Sequence, residues 1–122
     1  MSGEESRRLG RWGEDLSAAF LEEKGCRIVD RNWKCRFGEL DLVAEGEGYL
    51  CFVEVKLRRS NRFGTGAEQV DRRKQEKLRI AAELYLQACP TDLQPRFDVI
   101  QVFAPNGLGT KNPKIRHIEG AF

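Results

Sequence analysis

Apolar and polar residues alternate along this chain with two different periods. Between residues 4 and 24 the apolar positions recur about every 3.6 residues, which predicts an amphipathic helix. Gly25 marks the end of this helix, because glycine readily adopts the left-handed conformation that closes a helical turn. The predicted face with this period consists of Leu9, Trp12, Leu16, Ala19, Phe20 and Glu23.

Three segments with a strand-like pattern follow this helix. They read CRIVDRNW, FGELDLVA and YLCFVEVK, and each is rich in apolar and β-branched or aromatic residues. The connections KCRFG and EGEG between them are short enough for hairpin turns. The pattern therefore predicts three consecutive antiparallel strands.

A second helix is predicted over residues 65–89. Thr65 and Glu68 have the spacing of a capping box, and Pro90 prevents the helix from continuing. Two further strands, RFDVIQVFA and KIRHIEGAF, are joined by the turn-rich segment PNGLGTKNP. The predicted order is α-β-β-β-α-β-β, a single α/β domain over residues 1–122 whose mixed sheet is flanked by helices.

Composition and cysteine usage narrow the class of protein. A chain of 122 residues with 40% hydrophobic and 33% charged residues is typical of one soluble domain. We find no apolar segment typical of a signal peptide, and the longest apolar run, YLCFV, is too short for a membrane span. Four scattered cysteines and a single histidine argue against a zinc site and favour reduced thiols. We therefore expect a cytoplasmic protein without a membrane partner.

The distribution of charge is more informative than the net charge of +2. Residues 56–79 contain nine Lys or Arg against three acidic residues, and a second basic cluster is formed by Arg7, Arg8 and Arg11. Such clusters attract phosphate backbones, although a solvated helix face with ion pairs has the same composition. The candidate nucleic-acid-binding residues are Arg58, Arg59, Arg62, Arg72, Arg73 and Lys74.

Three carboxylates interrupt the predicted hairpin: Glu39, Asp41 and Glu54. Burial of an unpaired carboxylate costs several kcal/mol, so each one needs a cationic partner, a metal or a catalytic role. A hairpin can bring Asp41 beside Glu54, and Lys56 shares a strand face with Glu54 because side chains alternate. Adjacent carboxylates repel each other unless a cation lies between them, and oxygen ligands of this kind suit Mg²⁺ or Mn²⁺.

The same alternation places Glu39 and Asp41 on one face of their strand, with Leu40 and Leu42 on the other. Glu39 is interpreted as a solvent-facing or arginine-paired residue in preference to a metal ligand. A divalent ion with its bound water, together with the ammonium group of Lys56, supplies what phosphodiester hydrolysis requires.

The arrangement of Asp41 followed by Glu54-Val55-Lys56 resembles the D…E-x-K core of the PD-(D/E)xK nuclease superfamily. The longer pattern GRWGED…AAFLEEKG…RNW…GELDLVA…FVEVKLRR…FG…RRKQEKL…RFDVI is similar to the bacterial YraN-like family, which is related to archaeal Holliday junction resolvases. The similarity covers roughly residues 8–103. It implies a restriction-endonuclease-like fold and a single nuclease-like domain. Leu40 stands where the superfamily pattern has proline.

The resemblance also implies roles for individual residues. The metal ligands would be Asp41, Glu54 and the backbone carbonyl of Val55. Glu14 would be an acidic residue near the metal, and Gln69 a polar residue in the first turn of the second helix. The full set of implied catalytic residues is Asp41, Glu54, Lys56, Glu14 and Gln69.

Three functions remain open from the sequence. The first is a Mg²⁺-dependent (or Mn²⁺-dependent) nuclease that hydrolyses phosphodiester bonds through a metal-bound water, acting on DNA in preference to RNA, including branched or junction DNA. The second is an inactive or weakly active nucleic-acid-binding module of the same fold, and the third is a partner-binding domain. Resolvases of similar fold act as symmetric dimers, so the resemblance also implies a homodimer.

Several other residues with chemical potential have simpler interpretations. Trp12 and Trp33 can stack on bases, but packing in the core is the favoured interpretation. Asp98 is expected to pair with a basic neighbour such as Arg96. The lone His117, on the last strand, is not expected to bind a metal.

Overall fold

The structure is a computed structural model that describes residues 3–59 and 70–122. Its helices are α1 (Gly3–Glu23) and α2 (Arg72–Ala88), with a short 3₁₀ helix at Gly107–Gly109. Its strands are β1 (Arg27–Cys35), β2 (Gly38–Gly46), β3 (Tyr49–Arg58), β4 (Gln94–Phe103) and β5 (Lys114–Ile118). The predicted order of helices and strands is confirmed.

The five strands form one mixed sheet in the order β1-β2-β3-β4-β5. All neighbouring strands are antiparallel except β3 and β4, which run parallel and are connected through α2. The β2–β3 hairpin turns at Glu47 and Gly48, whose φ angles are 52° and 84°. Two successive positive φ values are typical of the type I′ turn, whose twist matches that of the strands it joins.

The two helices cover opposite faces of the sheet. On one face, Val43 and Phe52 pack with the buried side of α2, formed by Leu78, Ala81, Ala82 and Tyr85. On the other face, Leu42 and Val53 pack with Ala18 and Leu21 of α1. The predicted mixed α/β architecture with flanking helices is therefore confirmed, and residues adjacent in β2 or β3 contact different helices.

Helix α1 lies close to the sheet along a line of small residues. A Cβ atom added at Gly13 would lie 3.0 Å from Leu57 Cδ2, so this position favours glycine. Ser17 is fully buried, and its hydroxyl donates a hydrogen bond to the Gly13 carbonyl at 2.8 Å. The buried face therefore differs from the predicted one: Ala19 is exposed, while Ala18 and Leu21 are buried.

Helix α2 begins later than predicted. Asp71 has extended backbone angles (φ −69°, ψ 168°), and its carboxylate accepts a hydrogen bond from the Lys74 amide at 2.8 Å. Asp71 is therefore the N-cap, and the prediction of one continuous helix from residue 65 to residue 89 is wrong at this residue. Thr65 and Glu68 of the expected capping box lie outside the described residues.

A buried ionic network connects β4 to the end of the chain. Asp98 is fully buried and accepts two hydrogen bonds from the Arg96 guanidinium, at 2.8 and 2.9 Å, which confirms the predicted pair. Its Oδ2 also lies 2.8 Å from His117 Nε2. The Gly120 amide donates to Asp98 Oδ1 at 3.1 Å, and β5 ends before this turn, earlier than the segment KIRHIEGAF predicted.

The four cysteines, Cys26, Cys35, Cys51 and Cys89, are free thiols. Among residues 3–59 and 70–122, neither helix has the length and apolar character needed to cross a membrane.

Candidate active site

The candidate site lies where β2 and β3 stop pairing. The last pair of their ladder joins Leu42 to Val53, and continuing that register by one residue places Asp41 opposite Glu54. Beyond this pair, a side chain connects the two strands: the Val55 amide donates a hydrogen bond to Asp41 Oδ2 at 2.9 Å. The hairpin therefore brings Asp41 towards the strand that carries Glu54 and Lys56.

The neighbouring strand β1 is irregular at the same level. Asn32 has a φ of 51°, in the left-handed region, and lies across from Asp41 between two regular β1–β2 pairs. The alternation of β2 breaks here, because Leu40 packs on the α2 side of the sheet and Leu42 on the α1 side. The prediction that Leu40 and Leu42 share a face is therefore wrong, and the irregular backbone explains why.

Three carboxylates converge at this irregularity. One oxygen each from Glu14, Glu39 and Asp41 lies within 4.8 Å of the others, and all three side chains are half-buried. Asn32 holds two of them, since its Nδ2 donates to Glu14 Oε1 at 3.0 Å and to Glu39 Oε1 at 2.7 Å. The structure thus brings Glu14 to Asp41, and it adds Glu39, which the sequence interpretation had set aside as solvent-facing or arginine-paired.

Glu54 lies outside this three-carboxylate group and is flanked by cations. It is only 7% exposed, and its Oε1 lies 3.5 Å from Lys56 Nζ and 3.8 Å from Lys74 Nζ. Among the residues described, its buried Oε2 has no hydrogen-bond partner. A buried carboxylate oxygen without a partner is costly, so this atom marks the place where a further cation or donor fits.

The electrostatics of the site act most strongly on Asp41. Burial and the negative charge of Glu54 raise the pKa of Asp41 to about 8, although the hydrogen bond from the Val55 amide opposes this shift. Glu14 and Glu39 contribute smaller parts of the same upward shift. Asp41 is therefore poised to take up a proton near neutral pH unless a cation compensates its charge.

The donors at this site fit a hard divalent cation. Asp41 and Glu54 offer carboxylate oxygens, Glu14 and Glu39 extend the set, and no sulfur or imidazole ligand belongs to the described acidic group. The partnerless Glu54 Oε2 and the raised pKa of Asp41 are the two features that a bound cation would relieve. The expected use of the Val55 carbonyl as a ligand stays a prediction.

The candidate nucleic-acid-binding residues fall into two groups. Arg72 and Arg73 are exposed in the first turn of α2, and Lys74 follows them with its ammonium group directed at Glu54. Arg58 ends β3 and Arg59 follows it. Arg62 and the proposed catalytic residue Gln69 lie outside the described residues, so their positions stay predictions.

Two contributors to this site carry only a weak sequence signal. The spacing of Glu39 and Asp41 already places them on one strand face, which was the available indication for Glu39. Asn32 gave no such indication, because its left-handed backbone and its two carboxylate contacts depend on the folded β1–β2 pair.

The chain matches the model of a family described as "Uncharacterised protein family UPF0102" over residues 13–102. It is 46% identical over 118 residues to a UPF0102 protein of Syntrophomonas wolfei, an alignment that covers 96% of this chain and 99% of that protein. A UPF0102 protein of Rhodococcus opacus is 43% identical over 115 residues, covering 93% of this chain and 95% of the relative. For a UPF0102 protein of Myxococcus xanthus the identity is 44% over 121 residues, covering 97% and 91%. This chain belongs to the UPF0102 (YraN-like) family.

Proposed function

We propose that this protein is a divalent-metal-dependent nuclease that hydrolyses phosphodiester bonds in DNA, including branched DNA. The observation that carries the proposal is the buried Glu54 Oε2, which has no hydrogen-bond partner among the described residues although Asp41 and Lys56 lie beside it. A purely structural glutamate at 7% exposure would be expected to have both oxygens bonded.

The side chains of the site divide the work of such a reaction. Asp41 and Glu54 would hold Mg²⁺ or Mn²⁺, and Glu14 and Glu39 lie close to Asp41. When bound, the ion would neutralise charge on the phosphate and acidify a water molecule. Lys56 supplies a positive charge beside Glu54, where it can stabilise negative charge that develops on the phosphate.

The basic residues around the site support nucleic acid as the substrate. Arg72 and Arg73 are exposed one turn from the site, and Lys74 connects them to Glu54. Positive charge next to an acidic metal site attracts a phosphate backbone while the acidic residues hold the cation. We include in the proposal a cytoplasmic location and a homodimer, since two-fold symmetry suits a junction with two equivalent strands.

Cleavage by matched variants tests the proposal. Asp41→Asn and Glu54→Gln keep the size of the side chain and remove its charge, and we expect each to reduce cleavage about 100-fold or more in Mg²⁺ or Mn²⁺. Asp92→Asn makes the same change at an exposed carboxylate and should leave the rate unchanged. The substrates are end-labelled linear duplex, flap and four-way-junction DNA. Cleavage that persists unchanged in both site variants would refute the assignment.

A second candidate is a nucleic-acid-binding module without turnover. The observation in its favour is that Lys56 and Lys74 both flank Glu54, so the charge of Glu54 is balanced without an ion. This candidate predicts salt-dependent DNA binding, no cleavage with either ion, and equal affinity in EDTA and Mg²⁺. A protein that binds neither DNA nor RNA would favour the partner-binding alternative instead.

A further inference from the structure

A groove on the outer side of α1 has features that the catalytic proposal does not use. Its volume is about 550 Å³. It is lined by Glu4, Arg7, Arg8, Arg11, Trp12, Asp15 and Leu108, so six of its seven lining residues come from α1 and one from the 3₁₀ helix. We refer to it below as the α1 groove.

The arginines of the α1 groove are available for a ligand. Arg7, Arg8 and Arg11 are exposed, and within the part of the chain that the structure describes none of them forms an ion pair. The exposed Arg27, by contrast, pairs with Glu45. Three guanidinium groups within two turns of one helix repel one another, and an anion between them would relieve that repulsion.

The acidic residues of the α1 groove do not cancel this positive charge. Asp15 is bound to Arg31 of β1, so its charge is already neutralised from the other side. Glu4 is then the remaining acidic lining residue against the three arginines. The net charge at the α1 groove is therefore positive, which favours an anionic ligand.

The α1 groove also has an apolar surface held in place. Trp12 is half-buried against the α1-side core, so its ring is fixed from behind while it lines the groove. Leu108 lies on the 3₁₀ helix and is 41% exposed, one of the two large apolar residues exposed in the described chain. A fixed indole ring beside guanidinium groups is the combination that stacks a base and holds its phosphate.

The α1 groove lies on the same helix as Glu14 of the candidate active site. Arg7, Arg11 and Glu14 have i, i+4, i+7 spacing, so they lie along one face of α1. Arg7 is about 10 Å from Glu14 along the helix axis at 1.5 Å per residue. A strand with one phosphate at the acidic site can therefore reach the α1 groove within a few nucleotides.

We propose that the α1 groove binds an unpaired nucleotide of the nucleic-acid strand, with its phosphate at Arg7 and Arg11 and its base against Trp12. Stacking on Trp12 requires a base that is not stacked in a duplex, so the occupant is a single-stranded end, flap or junction arm. The identity of this occupant rests on the proposed function, whereas the binding itself does not require catalysis.

Binding of a single-stranded oligothymidine of about 12 nucleotides, measured in EDTA, tests the proposal without turnover. We expect the double variant Arg7→Ala/Arg11→Ala to weaken binding at least about tenfold and to lower the slope of log affinity against log salt by about 0.7, for the one phosphate that both arginines hold. The matched control, Lys114→Ala/Arg116→Ala, removes two exposed charges from β5 outside the α1 groove and should change the affinity less than twofold.

Trp12 gives an independent readout. We expect oligothymidine to quench tryptophan fluorescence in the wild type and not in Trp12→Phe, which retains Trp33. A blunt duplex of equal length should bind without this quenching. Equal losses of affinity in the two double variants would overturn the proposal, and so would quenching by the duplex or displacement of the oligomer by polyglutamate at similar concentrations.

The outcomes also separate this inference from the nuclease assignment. If the protein binds oligothymidine through Arg7 and Arg11 but never cleaves DNA, nucleotide binding in the α1 groove is supported and the nuclease proposal is refuted. If DNA is cleaved and oligothymidine binding is the same in Arg7→Ala/Arg11→Ala as in the wild type, only the proposal that the α1 groove binds a nucleotide is refuted. If oligothymidine does not bind to the folded wild type, the proposal that the α1 groove binds a nucleotide is refuted directly.

Discussion

The protonation state of the Asp41 carboxyl group affects what the candidate site can bind. Its pKa is raised to about 8 by burial and by Glu54, while its Oδ2 accepts a hydrogen bond from the Val55 amide. That hydrogen bond keeps the carboxylate aligned even when the second oxygen carries a proton. A divalent ion at the proposed site would therefore have to compete with a proton for Asp41.

If the protein binds Mg²⁺ as proposed, this competition makes the affinity depend on pH. Because Asp41 must lose its proton to bind the ion, we expect the apparent affinity to rise about tenfold per pH unit below pH 8 and to level off above it. Calorimetric titration in two buffers with different ionisation enthalpies should detect the release of about one proton at pH 7. Asp41→Asn should bind weakly and lose the pH dependence, while Asp92→Asn retains both. Equal affinity at pH 6 and pH 8 would contradict this.

Asn32 offers a test that separates backbone strain from its contacts. Glycine accepts the φ of 51° without strain, whereas alanine in the left-handed region costs about 1 kcal/mol. Both Asn32→Gly and Asn32→Ala remove the amide that holds Glu14 and Glu39. We therefore expect both variants to lose about tenfold in Mg²⁺ affinity, as outer-sphere partners of metal ligands typically do.

The two Asn32 variants should differ in stability alone. Urea unfolding in EDTA should find Asn32→Ala less stable than Asn32→Gly by about 1 kcal/mol. Unchanged Mg²⁺ affinity in Asn32→Gly would mean that the amide does not position the carboxylates. Equal stability of the two variants would mean that residue 32 does not need the left-handed conformation.

At the scale of single residues, the sequence was sufficient where a regular pattern decides the contacts. Glu54 and Lys56 follow strand alternation, and the register set by the hairpin places Asp41 opposite Glu54. The face of Leu40 was wrong because the alternation breaks at Asp41, opposite Asn32. Asparagine adopts the left-handed conformation more readily than most residues, but its place in the middle of a strand depends on the folded strand pair.

Among the elements, the first turn of α2 contains both a helix cap, which stabilises the fold, and a lysine that contacts the candidate site. Asp71 caps the Lys74 amide, and the Lys74 ammonium group lies 3.8 Å from Glu54 Oε1. Asp71→Ala should therefore lower the free energy of unfolding by about 1 kcal/mol and loosen the turn that carries Lys74. Asp71→Ser keeps a capping oxygen and should restore most of this loss. Urea unfolding of the two variants measures the difference, and equal stability of both would exclude a capping role.

The bounds of the elements were predictable to the extent that local chemistry sets them. α1 was predicted almost to the residue, because its apolar pattern repeats over 21 residues and Gly25, with a positive φ of 93°, follows it. α2 was placed too early, because Thr65 and Glu68 offer a capping pattern while Asp71 lacks a partner glutamate three residues on. β5 was predicted too long, because the turn at Gly120 is set by its tertiary contact with Asp98.

Across the whole molecule, one buried carboxylate joins elements that are distant in the sequence. Asp98 of β4 contacts Arg96, His117 of β5 and Gly120, and His117 Nδ1 in turn accepts a hydrogen bond from Lys24 after α1 at 2.8 Å. A lysine ammonium group can only donate, so His117 must present its Nε2–H to Asp98. This network therefore connects the end of α1 to β4 and to β5, the edge strand of the sheet.

The network should make the fold sensitive to acid in a defined range. Burial alone would raise the pKa of Asp98, but hydrogen bonds from His117, Arg96 and the Gly120 amide lower it to about 2. A carboxyl group whose pKa is lower in the folded state stabilises the fold fully above the unfolded value of 3.8, and this contribution disappears as the pH falls towards 2. The shift corresponds to roughly 2 kcal/mol for this fully buried group.

Asp98→Asn should remove that dependence and also destabilise the protein at neutral pH. The neutral amide leaves the Arg96 charge with only the exposed Glu119 as a counter-ion, so we expect a loss of about 3 kcal/mol at pH 7. Thermal unfolding of wild type, Asp98→Asn and the exposed control Asp92→Asn, followed from pH 7 to pH 2, measures both effects. The wild type and Asp92→Asn should lose stability steeply below pH 4, and Asp98→Asn should lose roughly 2 kcal/mol less over that range. Parallel curves for all three proteins would show that the acid sensitivity arises elsewhere.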